Sequence, residues 1–409
     1  MTITVGTMWG RPARLLLPAS DGDGDLQMRL QRKILVVFRI FFMQHDCALF
    51  LREKGFFYWN KGEYMLHTVC FSNFHVEPCS KLRTLVDVPR TLNAIPTTFI
   101  NGKYDGPAVL VTSGVHGSEY PGIAASMELG RDLDPEEIHG CLILMHPVNV
   151  SAFWARMAEL GPEDGLNLNR VFPGNATLSR TYKLADFLLH EFILKADYYL
   201  DLHSGDLQED LHPYAYFPGN ASEEVNNKSR ELASQINVEY MVRSTATTGA
   251  YNCAALHGVP SILVERGGTG FCCREDIDAY KDDVMHVLKH VGMTPGYDHR
   301  HLHTFTPQEL TKIEYLEADR PACWYHAKHS GEQVEKGEML GYTTDFFGEK
   351  QEEFRAKFSG IMLYMTPAFS ITPGRVLCAY AELPEGYVPQ APHTHVPAHA
   401  VSEDVTKVG

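Results

Sequence analysis

Residues 111–122 read Val-Thr-Ser-Gly-Val-His-Gly-Ser-Glu-Tyr-Pro-Gly, and the fold prediction starts from this stretch. The apolar run at 107–111 leads into it and predicts a buried strand. A tight Gly-Ser turn follows, and Pro121 suits the first turn of a helix. A strand that ends in such a turn directs His116 and Glu119 at one point. That point can hold a zinc ion if a third ligand arrives from elsewhere in the chain.

A second stretch offers the third ligand. The run Asp197-Tyr-Tyr-Leu-Asp-Leu-His-Ser-Gly-Asp206 predicts another buried strand, with His203 at its carboxyl end and a Gly turn after it. Ligands of open α/β sheets bind beyond the carboxyl ends of the strands, so we expect His116, Glu119 and His203 to meet on one rim. Two His and one Glu leave a fourth position for water, as in catalytic zinc sites. The sequence therefore predicts one Zn²⁺ per subunit.

Composition limits the classes of partner. The chain has 409 residues, enough for two domains, and a formal net charge of −15, which argues against nucleic acid or anionic membranes as partners. The longest apolar run, residues 34–43, contains Arg39 and is too short to span a bilayer. Nine Cys, without a CxxC pair or a secretion signal, predict reduced thiols and a cytoplasmic protein.

Four segments are expected along the chain. Residues 1–64 form a poorly patterned N-terminal extension, and Met65 is an alternative translation start. From 65 to 305, strand and helix patterns alternate, which predicts an α/β catalytic domain with a mixed, mostly parallel sheet flanked by helices. The expected strands are Leu82–Val88, Thr97–Ile100, Ala108–Thr112, Cys141–His146, Tyr198–His203, Ala215–Phe217 and Ile262–Glu265, and the expected helices are Gly122–Leu133, Arg180–Lys195, Glu223–Gln235 and Arg274–Val291.

Helical periodicity stops after the catalytic segment. Residues 306–384 show short strands and Gly turns, and the segments 334–340 and 371–377 resemble each other. Such a half-repeat predicts a small pseudo-symmetric β-sandwich or barrel. The Pro- and His-rich residues 385–409 predict a disordered tail.

A zinc hydrolase also needs a base and positive charge, and two strand-end or loop stretches supply candidates. Glu265 ends the buried run Ser261-Ile-Leu-Val-Glu and is the candidate general acid/base, although a strand-terminal Glu paired with Lys or Arg is an equally ordinary interpretation. In a polar loop, Asn169 and Arg170 can clamp a carboxylate, since a guanidinium matches one bidentately. Arg156 is a candidate for polarising the scissile carbonyl, but an isolated loop Arg is more often a surface charge.

Four motifs together resemble the succinylglutamate desuccinylase/aspartoacylase family, a branch of the zinc-carboxypeptidase-like hydrolases. The resemblance covers roughly residues 82–385, and its motifs occur in the family's order. They are Gly114-Val-His-Gly-Ser-Glu-Tyr-Pro-Gly122, Asp164-Gly-Leu-Asn-Leu-Asn-Arg-Val-Phe-Pro-Gly174, Asp201-Leu-His-Ser-Gly205 and Val264-Glu-Arg-Gly-Gly268.

The resemblance implies roles for individual residues. It implies zinc ligands at His116, Glu119 and His203, a general base at Glu265, and substrate-carboxylate contacts at Asn169 and Arg170. Arg156 is similar in placement to the family's carbonyl-polarising arginine. The resemblance also implies a small C-terminal β domain, somewhat like lipoyl or biotinyl carriers, but no modification site stands between its two halves.

The leading functional hypothesis is a zinc amidohydrolase that cleaves a small-molecule N-acyl amino acid to a carboxylate and a free amine. A zinc metallocarboxypeptidase acting on peptides is an alternative with the same chemistry. A non-catalytic metal-binding homologue is the alternative from another class. Assembly as a homo-oligomer stays open.

Overall fold

The structure is a computed structural model that describes residues 74–298 and 305–390. It also describes the backbone of three short strands, Thr2–Val5, Ala13–Leu16 and Val69–Phe71, of which the first two pair with each other. The rest of the predicted extension 1–64, Met65 and the tail beyond residue 390 lie outside the described residues.

A nine-stranded sheet organises the larger part of the chain. Within the described residues, five of its eight neighbouring pairs are parallel and three are antiparallel, so the expected mixed, mostly parallel α/β sheet is confirmed. From one edge to the other the strands are Gln308–Leu310, Tyr240–Ser244, Tyr214–Pro218, Ser261–Glu265, Tyr198–His203, Tyr104–Ser113, His139–Met145, Ala94–Asn101 and Ser80–Asp87.

Helices cover both faces of this sheet, and two hydrophobic clusters fill the space between the layers. The four expected helices are present within a few residues of their predicted ends, and they are Tyr120–Asp132, Arg180–Glu191, Glu223–Ala233 and Arg274–His290. Two short helices, Val150–Ala155 and Ala250–Leu256, were not predicted. The second is buried at six of its seven positions and therefore shows no amphipathic period.

The C-terminal β region, residues 305–390, contains two small antiparallel sheets whose side chains share one core. The expected half-repeat falls on corresponding places: both 334–340 and 371–377 run from the end of a two-residue strand into a six-residue strand. The strands are Ile313–Glu317, Ala322–His326, Gln333–Val334, Met339–Thr344, Lys350–Arg355, Gly360–Met365, Ser370–Ile371 and Val376–Ala381.

The C-terminal β region is joined to the large sheet by strand pairing and by shared core. Strand Asp210–Leu211 leaves the catalytic segment and pairs with Gly360–Met365. Leu211 and Tyr214 pack in one apolar cluster with residues such as Leu363. Two residues of the predicted tail also contact the large sheet. The Tyr387 hydroxyl and the Gln390 backbone N–H both donate to buried Glu239.

Candidate active site

The His116–Glu119 turn lies at the carboxyl end of strand Tyr104–Ser113, and local packing determines its shape. Gly117 lies against the backbone of Ala152, where an added Cβ would be 2.2 Å from the carbonyl carbon. Only glycine permits this approach. Helix Tyr120–Asp132 begins directly after Glu119, with a proline in its first turn.

His116, Glu119 and His203 come together as predicted, with one potential ligand atom from each within 4.8 Å of the others. The Nδ1 atom of His116 lies 2.6 Å from Glu119 Oε1, and Nδ1 of His203 lies 3.0 Å from Glu119 Oε2. The two rings meet edge to face with centroids 4.9 Å apart. Both imidazoles thus direct the same nitrogen at one carboxylate.

The cluster is buried and strongly coupled in charge. The side chains of Glu119 and His203 are 3% and 2% exposed. Burial opposes ionisation of Glu119, but the charges of His116 and His203 outweigh it and lower the pKa of Glu119 to about 2. Burial lowers the pKa of His203, yet the Glu119 and Asp201 carboxylates raise it well above its ordinary value.

The residues present fit a zinc ion. Glu119 Oε2 and His203 Nε2 are buried atoms for which the described residues provide no aligned hydrogen bond, although each lies close to a charged group. Buried polar atoms are normally paired, so Glu119 Oε2 beside two converging imidazole nitrogens favours a bound cation. Two His and one Glu form a nitrogen and oxygen donor set that suits zinc with an open position.

Each histidine presents its outer nitrogen to an oxygen. His116 Nε2 lies 3.1 Å from Asn167 Oδ1, and His203 Nε2 lies 3.1 Å from Asp201 Oδ2. Asp201 is fully buried and accepts a hydrogen bond from the Thr112 hydroxyl at 2.6 Å. Oxygen partners of this kind orient metal-ligating histidines.

Glu265 lies on the strand beside His203, and the two residues are in register in the sheet. Its Oε2 atom is buried without a hydrogen-bond partner among the described residues. Burial, with the nearby Glu119 and Asp201 carboxylates, raises the pKa of Glu265 to about 8, against the opposing charges of His203 and Arg170. A half-buried carboxylate with a raised pKa beside the His-Glu-His cluster is suited to proton transfer.

The predicted substrate-binding residues differ in their placement. Arg170 is exposed and lies near enough to Glu265 to influence its pKa. Asn169 is buried, and its Oδ1 accepts the Ala250 backbone amide at 2.9 Å, so part of its amide group supports a helix start. Arg156 is exposed, has a left-handed backbone (φ 51°), and makes no hydrogen bond or ion pair with the cluster within the described chain.

Sequence reasoning missed the contribution of the C-terminal β region. The Tyr315 hydroxyl hydrogen-bonds the Tyr216 hydroxyl at 2.9 Å, and both Glu265 and Arg170 influence the Tyr315 pKa. Burial and the Glu209 and Glu265 charges, among others, raise the pKa of Tyr364 well above its ordinary value. No pattern in the sequence connects these tyrosines with the metal motifs.

Comparison with known proteins adds the family. A sequence model of the succinylglutamate desuccinylase/aspartoacylase catalytic domain matches residues 105–291, which include the whole cluster and Glu265. Over this part, the chain is similar to the catalytic domain of that family. This is an enzymatic deacylase family, and members are generally zinc-dependent.

Individual relatives are similar over most of the chain. The N-alpha-acetyl-L-2,4-diaminobutyric acid deacetylase of Halomonas elongata is 28% identical over 305 residues, 71% of this chain and 86% of the relative. A product-bound structure of the ectoine utilization protein EutE (DoeB) from Ruegeria pomeroyi is 25% identical, with a TM-score of 0.67, and the match covers 75% of this chain and 97% of that one. A succinylglutamate desuccinylase/aspartoacylase from Rhodobacter sphaeroides is 26% identical, with a TM-score of 0.66 over 76% of this chain and 96% of that one.

Among the described residues, no helix has the length and apolar character needed to cross a bilayer.

Proposed function

We propose that the protein is a zinc-dependent amidohydrolase that cleaves a small N-acyl amino acid to a carboxylate and a free amine. The observation that carries the proposal is the convergence of His116, Glu119 and His203 next to Glu265 on one rim of the sheet. The relative from Halomonas elongata deacetylates an N-acetylated diamino acid, which agrees with this reaction class.

In this proposal His116, Glu119 and His203 hold the metal. Zinc bound there supplies Lewis-acid chemistry, which polarises a carbonyl and makes water nucleophilic near neutral pH. Glu265 accepts a proton at its buried Oε2 from the attacking water and returns it to the leaving nitrogen. The role of Arg156 in stabilising the oxyanion stays a prediction, since no contact within the described residues supports it.

The loop at 167–170 is proposed to hold the substrate carboxylate. The exposed Arg170 guanidinium lies near enough to Glu265 to lower its pKa, and the hydrogen bond to Ala250 fixes Asn169 next to it in sequence. A guanidinium binds a carboxylate with two parallel hydrogen bonds. Residues 65–305 would form the catalytic domain, and residues 306–384 would form a β domain that lines the site.

The charge around the site supports a substrate with a second amine. Asp206 and Glu209 lie near Glu119. Burial and the carboxylates of Asp206, Glu265 and Glu119 raise the pKa of Glu209 well above its ordinary value. A cationic group on the substrate would relieve this repulsion. We therefore expect an acetylated diamino acid to be a better substrate than an acetylated dicarboxylic amino acid.

The test is a comparison of substrates on the zinc-loaded full chain, with amine release as the readout. N-acetyl-diaminobutyrate, N-acetylaspartate, succinylglutamate and a short peptide would be compared at equal concentration. Preferential release from the first compound supports the proposal. Exclusive release from the peptide identifies a carboxypeptidase instead, and no release from any compound, by a protein that binds zinc, contradicts an amidohydrolase. A cytoplasmic location is also proposed, on the composition argument given above.

A further inference from the structure

A single amide group connects the metal cluster with the substrate loop. Asn167 Oδ1 lies 3.1 Å from His116 Nε2 and also accepts the backbone amide of Asn169 at 2.8 Å. On its other side, Asn167 Nδ2 donates to Glu159 Oε2 at 2.7 Å. The Asn167 side chain therefore has a distinct partner on each side.

Glu159 and the Asn169 backbone amide together set which way the Asn167 amide points. An ionised carboxylate only accepts hydrogen bonds, so the Asn167 NH₂ group must face Glu159 and the Asn167 oxygen must face His116. An oxygen acceptor at 3.1 Å requires the proton of the neutral His116 ring to be on Nε2. The lone pair of His116 Nδ1 then points at Glu119 Oε1, 2.6 Å away. Both atoms are acceptors, so a cation is needed to bring them together.

Glu159 is itself held by the C-terminal β region. Its other carboxylate oxygen is ion-paired with the Arg375 guanidinium, which follows the turn after strand Ser370–Ile371. The side chains of Glu159 and Arg375 are 27% and 46% exposed. A guanidinium and an amide NH₂ group only donate hydrogen bonds, so both Glu159 oxygens act as acceptors here.

We propose that Glu159 and Arg375 are positioning residues that select the metal-binding tautomer of His116 through the Asn167 amide. The C-terminal β region thereby acts on a metal ligand through the intervening Asn167 amide. This inference rests on the proposed function, because it takes His116 as a zinc ligand.

The first experiment measures zinc affinity of the metal-loaded full chain by competition with a chromophoric chelator. Glu159→Gln can present its own NH₂ group to Asn167 and so weakens the hold on the amide, although the Asn169 backbone amide still favours the present orientation. Zinc affinity should therefore fall by roughly 10-fold, the lower end of the usual effect of losing an outer-sphere partner. Arg375→Met leaves the carboxylate in place and should lower affinity by only about two- to fivefold. Glu353→Gln removes a matched Arg–Glu pair in the same β region, with Arg355, and should change nothing.

A rescue variant separates amide orientation from general damage. A carboxylate at position 167 can accept the hydrogen bond from His116 Nε2–H with either of its oxygens, so its rotation does not matter. Asn167→Asp should therefore restore zinc affinity in the Glu159→Gln background. Asn167→Asp alone should bind zinc poorly, since it places two carboxylates where Asn167 Nδ2 and Glu159 Oε2 are now 2.7 Å apart. Histidine ¹⁵N shifts should report the Nε2-protonated tautomer in wild type and in the double variant only.

The outcomes are distinct. Unchanged zinc affinity in Glu159→Gln overturns the inference, and so does a double variant that stays as weak as Glu159→Gln. A wild-type chain that binds no zinc overturns the proposed function and this inference with it.

Discussion

Zinc uptake should release protons, and Glu265 should contribute a defined share of them. Burial and the neighbouring carboxylates raise the pKa of Glu265 to about 8. At pH 7 such a group is about nine-tenths protonated. A divalent cation beside it favours the ionised carboxylate, so binding should expel about 0.9 proton from Glu265 for each ion bound.

The share of Glu265 is isolated by comparing wild type with Glu265→Gln. Metal-free full-length protein is titrated with zinc chloride in weak buffer, and proton release is followed with a pH indicator. His203, whose pKa is also raised, releases protons in both variants and cancels in the difference. Exposed Glu275 provides the control, because Glu275→Gln should release as many protons as wild type.

The sign of the pH dependence follows from the direction of the shift. The extra proton on Glu265 is present below a pKa of about 8 and is lost above it. The difference between wild type and Glu265→Gln should therefore fall from about 0.9 proton at pH 7 to about 0.1 at pH 9. Equal release by the two variants at pH 7, with normal zinc binding, would refute the assigned protonation state of Glu265.

Three further predictions concern activity, metal binding and stability. Glu265→Gln should lower kcat by roughly 10²- to 10⁴-fold without changing zinc content, and retained turnover would contradict its acid–base role. Gly117→Ala should reduce the zinc occupancy found by metal analysis. The added Cβ would lie 2.2 Å from the Ala152 carbonyl carbon, so the turn that bears His116 and Glu119 must shift. Full zinc occupancy would show that the turn adapts. Arg266→Met removes the cation that lies 2.7 Å from buried Asp283 and leaves that carboxylate without a counter-charge, so it should cost about 3–5 kcal/mol in urea unfolding. Replacing both residues with apolar ones should recover part of that loss, and an unchanged unfolding midpoint in Arg266→Met would argue against the pair.

The sequence predicted the parts of the site that depend on local pattern. Strand ends at His116, His203 and Glu265 follow buried apolar runs, and parallel strands bring their carboxyl ends to one rim. Asp201 was within reach of the same reasoning, because it lies two positions before His203 on one strand and shares its face. The strand Tyr240–Ser244 was missed, since its five residues give too short a pattern to identify.

Other parts depend on contacts between distant segments and have no local signal. Arg375 lies 216 positions after Glu159, in a Thr-Pro-Gly-Arg turn. The sequence of this turn is that of an ordinary surface turn and does not indicate its partner. The tyrosine contact between Tyr216 and Tyr315 likewise crosses from the sheet to the β region. The pairing of strand Asp210–Leu211 with the β region, together with the shared apolar cluster, fixes how these segments meet.

The two histidines consequently differ in how firmly their orientation is set. His203 and its oxygen partner Asp201 share one strand in the centre of the sheet, and both are buried. His116 instead depends on Asn167, in a loop whose amide is oriented by a partly exposed ion pair. Exposed ion pairs contribute little stability and are easily broken. Substitutions on the surface of the β region should therefore alter the orientation of His116 and leave that of His203 unchanged. If the proposed function holds, substitutions in the β region should therefore alter metal affinity while His203, on its strand, keeps its orientation.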